Sequence, residues 1–330
     1  MPFSTKNLVR FTGMLALAAG ANAQPYTIQD TFDTTNFFDG FEFFTGADPT
    51  AGFVNYVDAT TANATSLAGY TEGGIYLGVD YTTTNPASPG RDSVRVNSIN
   101  SYTHGLFIVD LAHMPSSACG SWPAWWTVGP NWPNDGEIDI IEGVNSNNYD
   151  TITLHTAEGC SFSSSSWSSA DCGANSGSTG CGNPTSNTQT YGDGFNAIGG
   201  GVYAMQWSSS AINIFFFPRS SIPSDITAGT PDPSGWGSPL AGYSGGSCNI
   251  DSYFQQHQIV FDTTFCGQWA GQSSVWSADA TCSALADSCQ DYVAANPSAF
   301  QDSYWLINSV KVYSEAGNST STRRALAFNA

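Results

Sequence analysis

Short runs of strand-forming residues recur through this sequence and restrict its fold more than any other feature does. They alternate polar with apolar residues or are wholly apolar, and glycine, serine, asparagine and proline separate them. Clear examples are residues 75–80, 93–97, 105–111, 151–155, 202–207, 212–216, 258–262 and 304–313. Because short strands between turn signals are typical of all-β domains, the sequence predicts an antiparallel sandwich or jelly roll.

Two segments depart from this pattern. Residues 277–295 are a helix candidate in which Cys282, Leu285 and Cys289 would share a face. Residues 161–194 are rich in serine, glycine and asparagine, and we expect nearby cysteines to hold this segment as a long loop. No linker or repeat divides the chain, so the sequence predicts a single folded domain.

The first 23 residues have the features of a secretory leader. Lys6 and Arg10 precede a short apolar run, and Ala21-Asn22-Ala23 matches a small-residue cleavage site. The apolar run is too short to cross a bilayer, and no later segment is long enough. We therefore expect a signal peptide over residues 1–23, a secreted, extracellular β-sandwich domain over 24–313 and a mobile tail over 314–330.

Composition narrows the range of binding partners. The chain has 27 acidic against 8 basic residues and a formal net charge of −19. Nucleic acid is bound through basic surfaces that release counterions, so this balance excludes nucleic acid and favours a neutral polymer such as a polysaccharide. We also expect no membrane partner and a monomeric protein.

The eight cysteines indicate disulfide bonds. An even count behind a leader fits an oxidising compartment and up to four bridges, whose pairing the spacing does not determine. The sequence has no C-x-x-C pair and no H-E-x-x-H motif, which disfavours zinc and redox sites. We therefore expect chemistry that needs no metal or other cofactor, with a structural calcium ion as an open alternative.

The strongest chemical signal is the stretch Gly136-Glu137-Ile138-Asp139-Ile140-Ile141-Glu142-Gly143. On a strand, Glu137 and Asp139 point to one face while the isoleucine between them points to the other. Strict alternation would place Glu142 on the apolar face, where an unpaired carboxylate is strongly unfavourable. A β-bulge at Ile140-Ile141 returns Glu142 to the side of Glu137, so the spacing itself predicts a bulge.

Two glutamates around an aspartate on one surface fit the cleavage of a glycosidic bond. Crowded carboxyl groups split their pKa values, so one stays protonated while another is ionised. Retaining glycosidases need carboxyl groups about 5–5.5 Å apart, which long side chains leaning together across a concave strand can reach. The alternatives are a solvated acidic strand and a calcium site. We favour catalysis because the isoleucines mark a buried opposite face.

Aromatic residues crowd the approach to these acids. Four tryptophans lie shortly before the first glutamate: Trp122, Trp125, Trp126 and Trp132. Aromatic faces suit the C–H-rich faces of sugar rings. Trp125 and Trp126 would point to opposite faces of a strand, so only one of them lines a cleft. His155 ends a strand-like run shortly after the acids, and a place in the cleft and a structural role are both open.

These residues resemble glycoside hydrolase family 16, and within it the fungal laminarinases. The E-x-D-x-x-E signature carries the resemblance with four further segments: Trp122-Pro123-Ala124-Trp125-Trp126, Leu154-His155-Thr156, Arg91-Asp92-Ser93-Val94-Arg95 and Cys266-Gly267-Gln268-Trp269. The similarity extends from about residue 26 to residue 313. It implies a β-jelly-roll sandwich with a concave substrate cleft and a retaining endo-hydrolase of β-1,3- or mixed β-1,3/1,4-glucans.

The resemblance also implies roles for individual residues. Glu137 would be the nucleophile, Glu142 the general acid/base and Asp139 the residue that tunes Glu137. The residues implied to bind substrate are Arg95, Trp125, Trp132 and Trp269, with His155 near the acid/base. Two other hypotheses stay open: an inactive β-glucan lectin, which would not need the two glutamates, and a glucanosyl-transferase, which differs in the shape of its acceptor subsites.

Overall fold

Strands make up most of the regular structure in the computed structural model, which describes residues 26–163, 171–174, 180–315 and 321–323. In chain order they are β1 (Tyr26–Phe32), β2 (Phe41–Phe43), β3 (Val54–Tyr56), β4 (Ala68–Thr71), β5 (Gly74–Leu77), β6 (Arg91–Ser93), β7 (Arg95–Ser98), β8 (Asn100–Tyr102), β9 (Gly105–His113), β10 (Ser121–Val128), β11 (Glu137–Glu142), β12 (Thr151–His155), β13 (Cys181–Pro184), β14 (Gly201–Trp207), β15 (Ala211–Pro218), β16 (Ala241–Ser244), β17 (Gln258–Phe265), β18 (Trp305–Glu315) and β19 (Ser321–Arg323).

Short helices connect the strands. The α-helices are α1 (Phe37–Gly40), α2 (Ala59–Ala64), α3 (Gly192–Ala197), α4 (Ser224–Thr227), α5 (Ile250–Tyr253), α6 (Gly267–Ala270), α7 (Ser273–Ala278), α8 (Ala280–Ser283) and α9 (Cys289–Ala295). Single turns of 3₁₀-helix cover Thr188–Thr190, Arg219–Ser221, Pro233–Gly235 and Pro297–Phe300. Within the described ranges, none of these helices is both long and apolar enough to cross a membrane.

Two antiparallel sheets form the body of the domain. The cleft sheet, as we call it, has the strand order β13-β12-β11-β10-β17-β7-β2. The outer sheet has the order β16-β15-β14-β9-β18-β5-β4, and β1 pairs with β18 as well. Two smaller pairs join β3 to β6 and β8 to β19. The prediction of an all-β antiparallel sandwich is confirmed.

The main hydrophobic core draws on both sheets and explains why the acids of β11 face outwards. Ile138 and Ile140 of β11 and Phe261 of β17 are fully buried, in one cluster with Val109 of β9 and Ile307 of β18. Burial of a side chain of this size contributes roughly 1.5–3 kcal/mol to stability. The alternating residues of the cleft sheet are therefore left on its opposite, accessible face.

All eight cysteines are bridged, as Cys119–Cys282, Cys160–Cys248, Cys172–Cys181 and Cys266–Cys289. The four bridges confirm the upper limit predicted from the count and supply the pairing that the spacing left open. The first and last of them attach α8 and α9 to the chain next to β10 and β17, so the helical segment is tied to the cleft sheet.

The helix predicted over residues 277–295 is wrong, because three short helices occupy this region. The Asp279 side chain accepts hydrogen bonds from two backbone amides at the start of α8, and Ser288 caps α9 in the same way. Each cap begins a new helix at a point where the single predicted helix would have continued. Leu285 is 55% exposed while Cys282 and Cys289 are buried, so the three do not share a face.

The two segments predicted as a loop and a tail contain regular structure. Within residues 161–194, β13 and the start of α3 are regular, and Cys172–Cys181 bridges the loop. The predicted tail begins too early, because Ser314 and Glu315 belong to β18, and residues 321–323 pair with β8. The leader over 1–23 and the rest of the tail lie outside the described residues.

Candidate active site

The pairing of β10 with β11 contains the predicted bulge. Trp126 lies opposite Asp139, and Trp125 lies opposite Ile141. The register therefore passes over Ile140, which is the one extra residue that a bulge inserts. The prediction from the spacing is confirmed.

The bulge sets the distance between the two glutamates as well as their common face. Along β10, Glu137 lies opposite Val128 and Glu142 lies opposite Ala124. Four residue steps at about 3.3 Å each separate the two Cα atoms by about 13 Å. The two carboxyl groups can act on one glycosidic bond only when both side chains lean towards Asp139, and a glutamate is long enough to do so.

Gly136 sets the direction in which β11 begins. Its φ of +80° lies in the left-handed region, and a Cβ atom there would lie 2.4 Å from the carbonyl oxygen of Tyr253. Because only glycine meets both conditions, the glycine before Glu137 is a structural requirement of the site.

The cleft itself is a cavity of about 560 Å³ on the face of the cleft sheet away from the core. All three predicted catalytic acids line it. The complete lining is Asp48, Pro49, Thr50, Arg95, Trp122, Ala124, Trp126, Val128, Trp132, Glu137, Asp139, Glu142, Asp262, Thr264 and Gln268. The site is therefore acidic at its centre and aromatic along its walls.

Burial raises the pKa of every carboxyl group on β11. Burial, followed by the charge of Asp139, raises the pKa of Glu137 to about 8, while His155 and Arg95 act in the opposite direction. The pKa values of Asp139 and Glu142 are raised well above the ordinary range, again first by burial. His155 lowers the pKa of both glutamates, and Arg95 also lowers that of Glu137. The predicted roles require Glu137 to react in its ionised form and Glu142 in its protonated form.

His155 lies beside Glu137 and Asp139. Its Nε2 is 3.3 Å from Asp139 Oδ2 and 3.9 Å from Glu137 Oε1, and β12 pairs it directly with Glu137. The structure thus places it beside the predicted nucleophile, and its charge also lowers the pKa of Glu142. Glu137, Asp139 and His155 each have one potential metal-ligand atom within 4.8 Å of the other two, which is close enough to hold a metal ion. Catalysis without a metal stays a prediction.

Trp122 holds the carboxyl group of Glu142. Its indole Nε1 donates a hydrogen bond of 2.9 Å to Glu142 Oε1. The indole ring also packs edge-on against Trp269, with 5.5 Å between ring centroids. Trp122 belongs to the tryptophan cluster before Glu137, but the sequence indicates no individual function for it. The signal that marks it is the two-residue period of β10, which places Trp122, Ala124 and Trp126 on the cleft face.

Trp125 lies in the core, so the expectation that it binds substrate is wrong. It is fully buried and packs against Phe261, with 6.1 Å between ring centroids. Because β10 is pleated, Trp126 faces the cleft in its place.

Arg95 lines the cleft as the resemblance implied. Its guanidinium lies over the rings of Phe44 and Trp126, at 4.5 and 5.0 Å from their centroids. Opposite Arg95 in the sheet lies Asp262, which was not among the predicted site residues. Asp262 accepts hydrogen bonds from Trp126 Nε1 (3.1 Å) and the Tyr56 hydroxyl (3.0 Å). No local motif marks Asp262, because only the pairing of β7 with β17 brings it to the site.

The remaining two tryptophans occupy different places. Trp132 lies at the rim of the cleft and is 51% exposed, as a sugar-stacking platform requires. Trp269 does not line this cleft. It lines a neighbouring cavity of about 600 Å³ and contacts Trp122 of the cleft.

A β-sandwich whose cleft carries two glutamates around an aspartate, with tryptophans on its walls, defines the jelly-roll class of glycoside hydrolases. Residues 41–313 match the family model described as the XgeA-like, catalytic GH16 domain. The chain belongs to glycoside hydrolase family 16, as its signature indicated.

Curated relatives agree with this assignment. The chain is 46% identical over 321 residues to a probable endo-1,3(4)-β-glucanase of Aspergillus fumigatus, an alignment that covers 94% of this chain and 48% of the relative. An endo-1,3(4)-β-glucanase of Arthroderma benhamiae is 41% identical over 329 residues, covering 96% of this chain and 71% of the relative. The chain thus spans about half the length of the first of these relatives.

Solved structures confirm the jelly-roll fold. Laminarinase 16A from Phanerochaete chrysosporium, with 6-O-glucosyl-laminaritriose in donor and acceptor sites, superposes with a TM-score of 0.83 at 42% identity. An elongating GH family 16 β-1,3-glucosyltransferase superposes with a TM-score of 0.81 at 43% identity. Each alignment covers 88% of this chain and 100% of the solved chain.

Proposed function

We propose that the protein is an endo-β-glucanase that hydrolyses β-1,3- and mixed β-1,3/1,4-glucans with retention of anomeric configuration. The observation that carries the proposal is the common placement of Glu137, Asp139 and Glu142 in one aromatic-lined cleft. The relatives named endo-1,3(4)-β-glucanases and the laminarinase bound to β-glucan support the substrate class.

The first step forms a covalent glycosyl-enzyme. The protonated carboxyl of Glu142 donates its proton to the glycosidic oxygen while a Glu137 oxygen attacks the anomeric carbon. The bond between that carbon and the leaving oxygen breaks, and an ester bond to Glu137 forms. The indole N–H of Trp122 fixes the acid in position for this transfer.

The second step returns the enzyme to its starting state. Glu142, now ionised, takes a proton from a water molecule, whose oxygen attacks the anomeric carbon and releases Glu137. Asp139 lies between the two glutamates with 2% of its surface exposed, and its charge raises the pKa of both. Its role is thus to help Glu142 regain its proton after each turnover.

The cleft walls supply the sugar contacts. Trp126 and Trp132 offer aromatic faces to glucose rings, and Arg95 offers donors to hydroxyl groups. His155 lies close enough to the nucleophile to orient it. A neutral glucan carries no charge for the acidic cleft to repel, which fits the net charge of −19.

Glucanosyl transfer is a second candidate, because an elongating β-1,3-glucosyltransferase is 43% identical and shares the fold. The two activities differ in whether water or a sugar attacks the glycosyl-enzyme. Incubation with laminariheptaose distinguishes them, since a hydrolase gives only shorter products and a transferase also gives longer ones.

The remaining sequence-based proposals concern the protein as a whole. We propose cleavage after Ala23, secretion as a monomer, and no nucleic-acid or membrane partner. Structural calcium stays an alternative. Mass spectrometry of culture supernatant tests the cleavage site, and size-exclusion chromatography with light scattering tests the monomer.

The proposed activity is tested by reducing-end release from laminarin and lichenan in parallel. Wild-type protein should release reducing ends from one or both, while Glu137→Ala and Glu142→Ala should lose nearly all activity and keep the wild-type circular dichroism spectrum. Glu72→Gln, at an exposed turn, is the control and should stay fully active. Binding of laminarin without release would show a lectin and contradict the proposal.

A further inference from the structure

We propose that Asp150 is a positioning residue for the general acid/base, acting as a neutral carboxyl group that fixes the backbone of Glu142 through a buried chain of hydrogen bonds. Asp150 lies just before β12 and outside the cleft lining. The proposal rests on the proposed function, because it concerns the placement of the residue that protonates the leaving oxygen.

The sheet has a gap next to Glu142. Strand β11 pairs with β12 only as far as Asp139, which lies opposite Thr153. Beyond the bulge, the backbone N–H of Glu142 points to that side without a strand partner. Asp150 Oδ1 accepts this N–H at 2.9 Å. A side chain thus replaces the missing ladder bond at the residue that carries the acid.

The contacts of Tyr203 indicate that Asp150 carries a proton. The Tyr203 hydroxyl oxygen lies 2.5 Å from the carbonyl oxygen of Thr190 and 3.2 Å from Asp150 Oδ2. A hydroxyl has one proton, and two oxygens approach to 2.5 Å only with a proton between them. The Tyr203 proton is therefore committed to Thr190. The contact with Asp150 then needs a second proton, which the carboxyl group of Asp150 must carry.

The surroundings of Asp150 agree with this count. Asp150, Thr190 and Tyr203 are all fully buried, and Asp150 has no ion pair among the residues that the structure describes. A buried carboxylate without a cation is strongly unfavourable, whereas a protonated carboxyl can be both donor and acceptor. Burial raises the pKa of Asp150 well above its ordinary value and outweighs the hydrogen bonds with the Glu142 N–H and Tyr203, which act in the opposite direction.

A neutral Asp150 suits its place behind the acidic cleft. An ionised Asp150 would add a further negative charge behind the carboxyl groups of the cleft. A protonated Asp150 adds none and still holds the Glu142 amide. These hydrogen bonds connect the Glu142 N–H through Asp150 and Tyr203 to the Thr190 carbonyl, so they brace the segment after the bulge against the 3₁₀-helix Thr188–Thr190.

The test compares Asp150→Asn with Asp150→Ala. Asparagine presents the same pattern as a protonated aspartate, one acceptor for the Glu142 N–H and one donor for Tyr203. We expect Asp150→Asn to keep kcat/KM on laminarin within about threefold, and Asp150→Ala to lose about 10–100-fold. Tyr203→Phe should fall between them. Its control is Tyr243→Phe, which removes another buried hydroxyl, bonded to the Ile152 carbonyl, and should keep wild-type activity.

Leaving-group dependence separates positioning from a merely structural role. A dinitrophenyl β-laminaribioside needs little protonation, so Asp150→Ala should keep most of its kcat/KM on this substrate while losing activity on laminarin. Equal losses on both substrates would overturn the proposal, and so would an Asp150→Asn variant as impaired as Asp150→Ala. Should Asp150→Ala not fold, Asp150→Asn and Tyr203→Phe still decide it.

An infrared measurement tests the neutral state without any activity. At neutral pH, the difference spectrum between wild type and Asp150→Asn should contain the C=O stretch of a protonated carboxyl group. A carboxylate band in its place would overturn the proposal. Wild-type protein that cleaves no glucan would contradict the proposed function but leave this measurement valid, so the two failures are distinguishable.

Discussion

Replacing Glu137 with glutamine removes a buried acid whose ionisation opposes folding. Burial and the charge of Asp139 raise its pKa from 4.5 to about 8. Because this pKa is higher in the folded than in the unfolded protein, Glu137 keeps its proton in the folded state between pH 4.5 and about 8, where the unfolded state has lost it. The stability from this group is therefore complete below about pH 4.5 and is lost as the pH rises towards 8.

The size of the effect follows from the same pKa values. One retained proton lowers the free energy of unfolding by about 1.4 kcal/mol per pH unit across this window. At pH 7 the loss is about 3 kcal/mol, and Glu137→Gln should remove it. The variant should gain little over wild type near pH 4.5 and be more stable by about 3 kcal/mol at pH 7.

Guanidinium chloride unfolding between pH 4.5 and 7.5, with disulfides intact, measures this difference. Glu72→Gln is the matched control, because Glu72 is exposed, and its stability should run parallel to that of the wild type. A Glu137→Gln profile that also runs parallel to wild type at every pH would refute the reasoning, since it would show that the cleft does not perturb this group.

Two further substitutions test the walls of the cleft, and one tests the core beneath it. Trp122→Phe removes the hydrogen bond to Glu142 and should lower kcat/KM on laminarin at least about tenfold, measured by reducing-end release. Trp125→Phe should leave KM unchanged and lower the free energy of unfolding by about 2 kcal/mol or less, because its indole N–H is buried without a partner. Arg95→Lys should raise KM severalfold in the same assay, because lysine does not stack on Trp126.

The sequence predicted the bulge because an unbroken strand would place an unpaired carboxylate in the core. Glu137, Asp139 and Glu142 cannot all avoid the core on an unbroken strand, so the extra residue had to lie between Asp139 and Glu142. The fold class was equally accessible, because alternation between turn residues determines which residues a sheet buries.

The sequence could not decide which of the neighbouring Trp125 and Trp126 faces the cleft. Alternation separates Trp125 from Trp126 but does not say which face is the core when both side chains are large and apolar. Asp262 and Asp150 were missed for another reason. Their functions come from contacts between strands and loops far apart in sequence, with Trp126 and with the amide of Glu142, and no local pattern records such contacts.

In the proposed mechanism, Glu137 attacks the anomeric carbon and Glu142 donates and accepts the proton. Chemical rescue by azide of Glu142→Ala and Glu137→Ala, with the anomeric configuration of each product determined by proton NMR, distinguishes the two roles. We expect a β-glycosyl azide from Glu142→Ala, because azide replaces water on the covalent intermediate, and an α-glycosyl azide from Glu137→Ala, because azide replaces the nucleophile. The opposite assignment of products, or an inverted sugar from the wild-type enzyme, would contradict it.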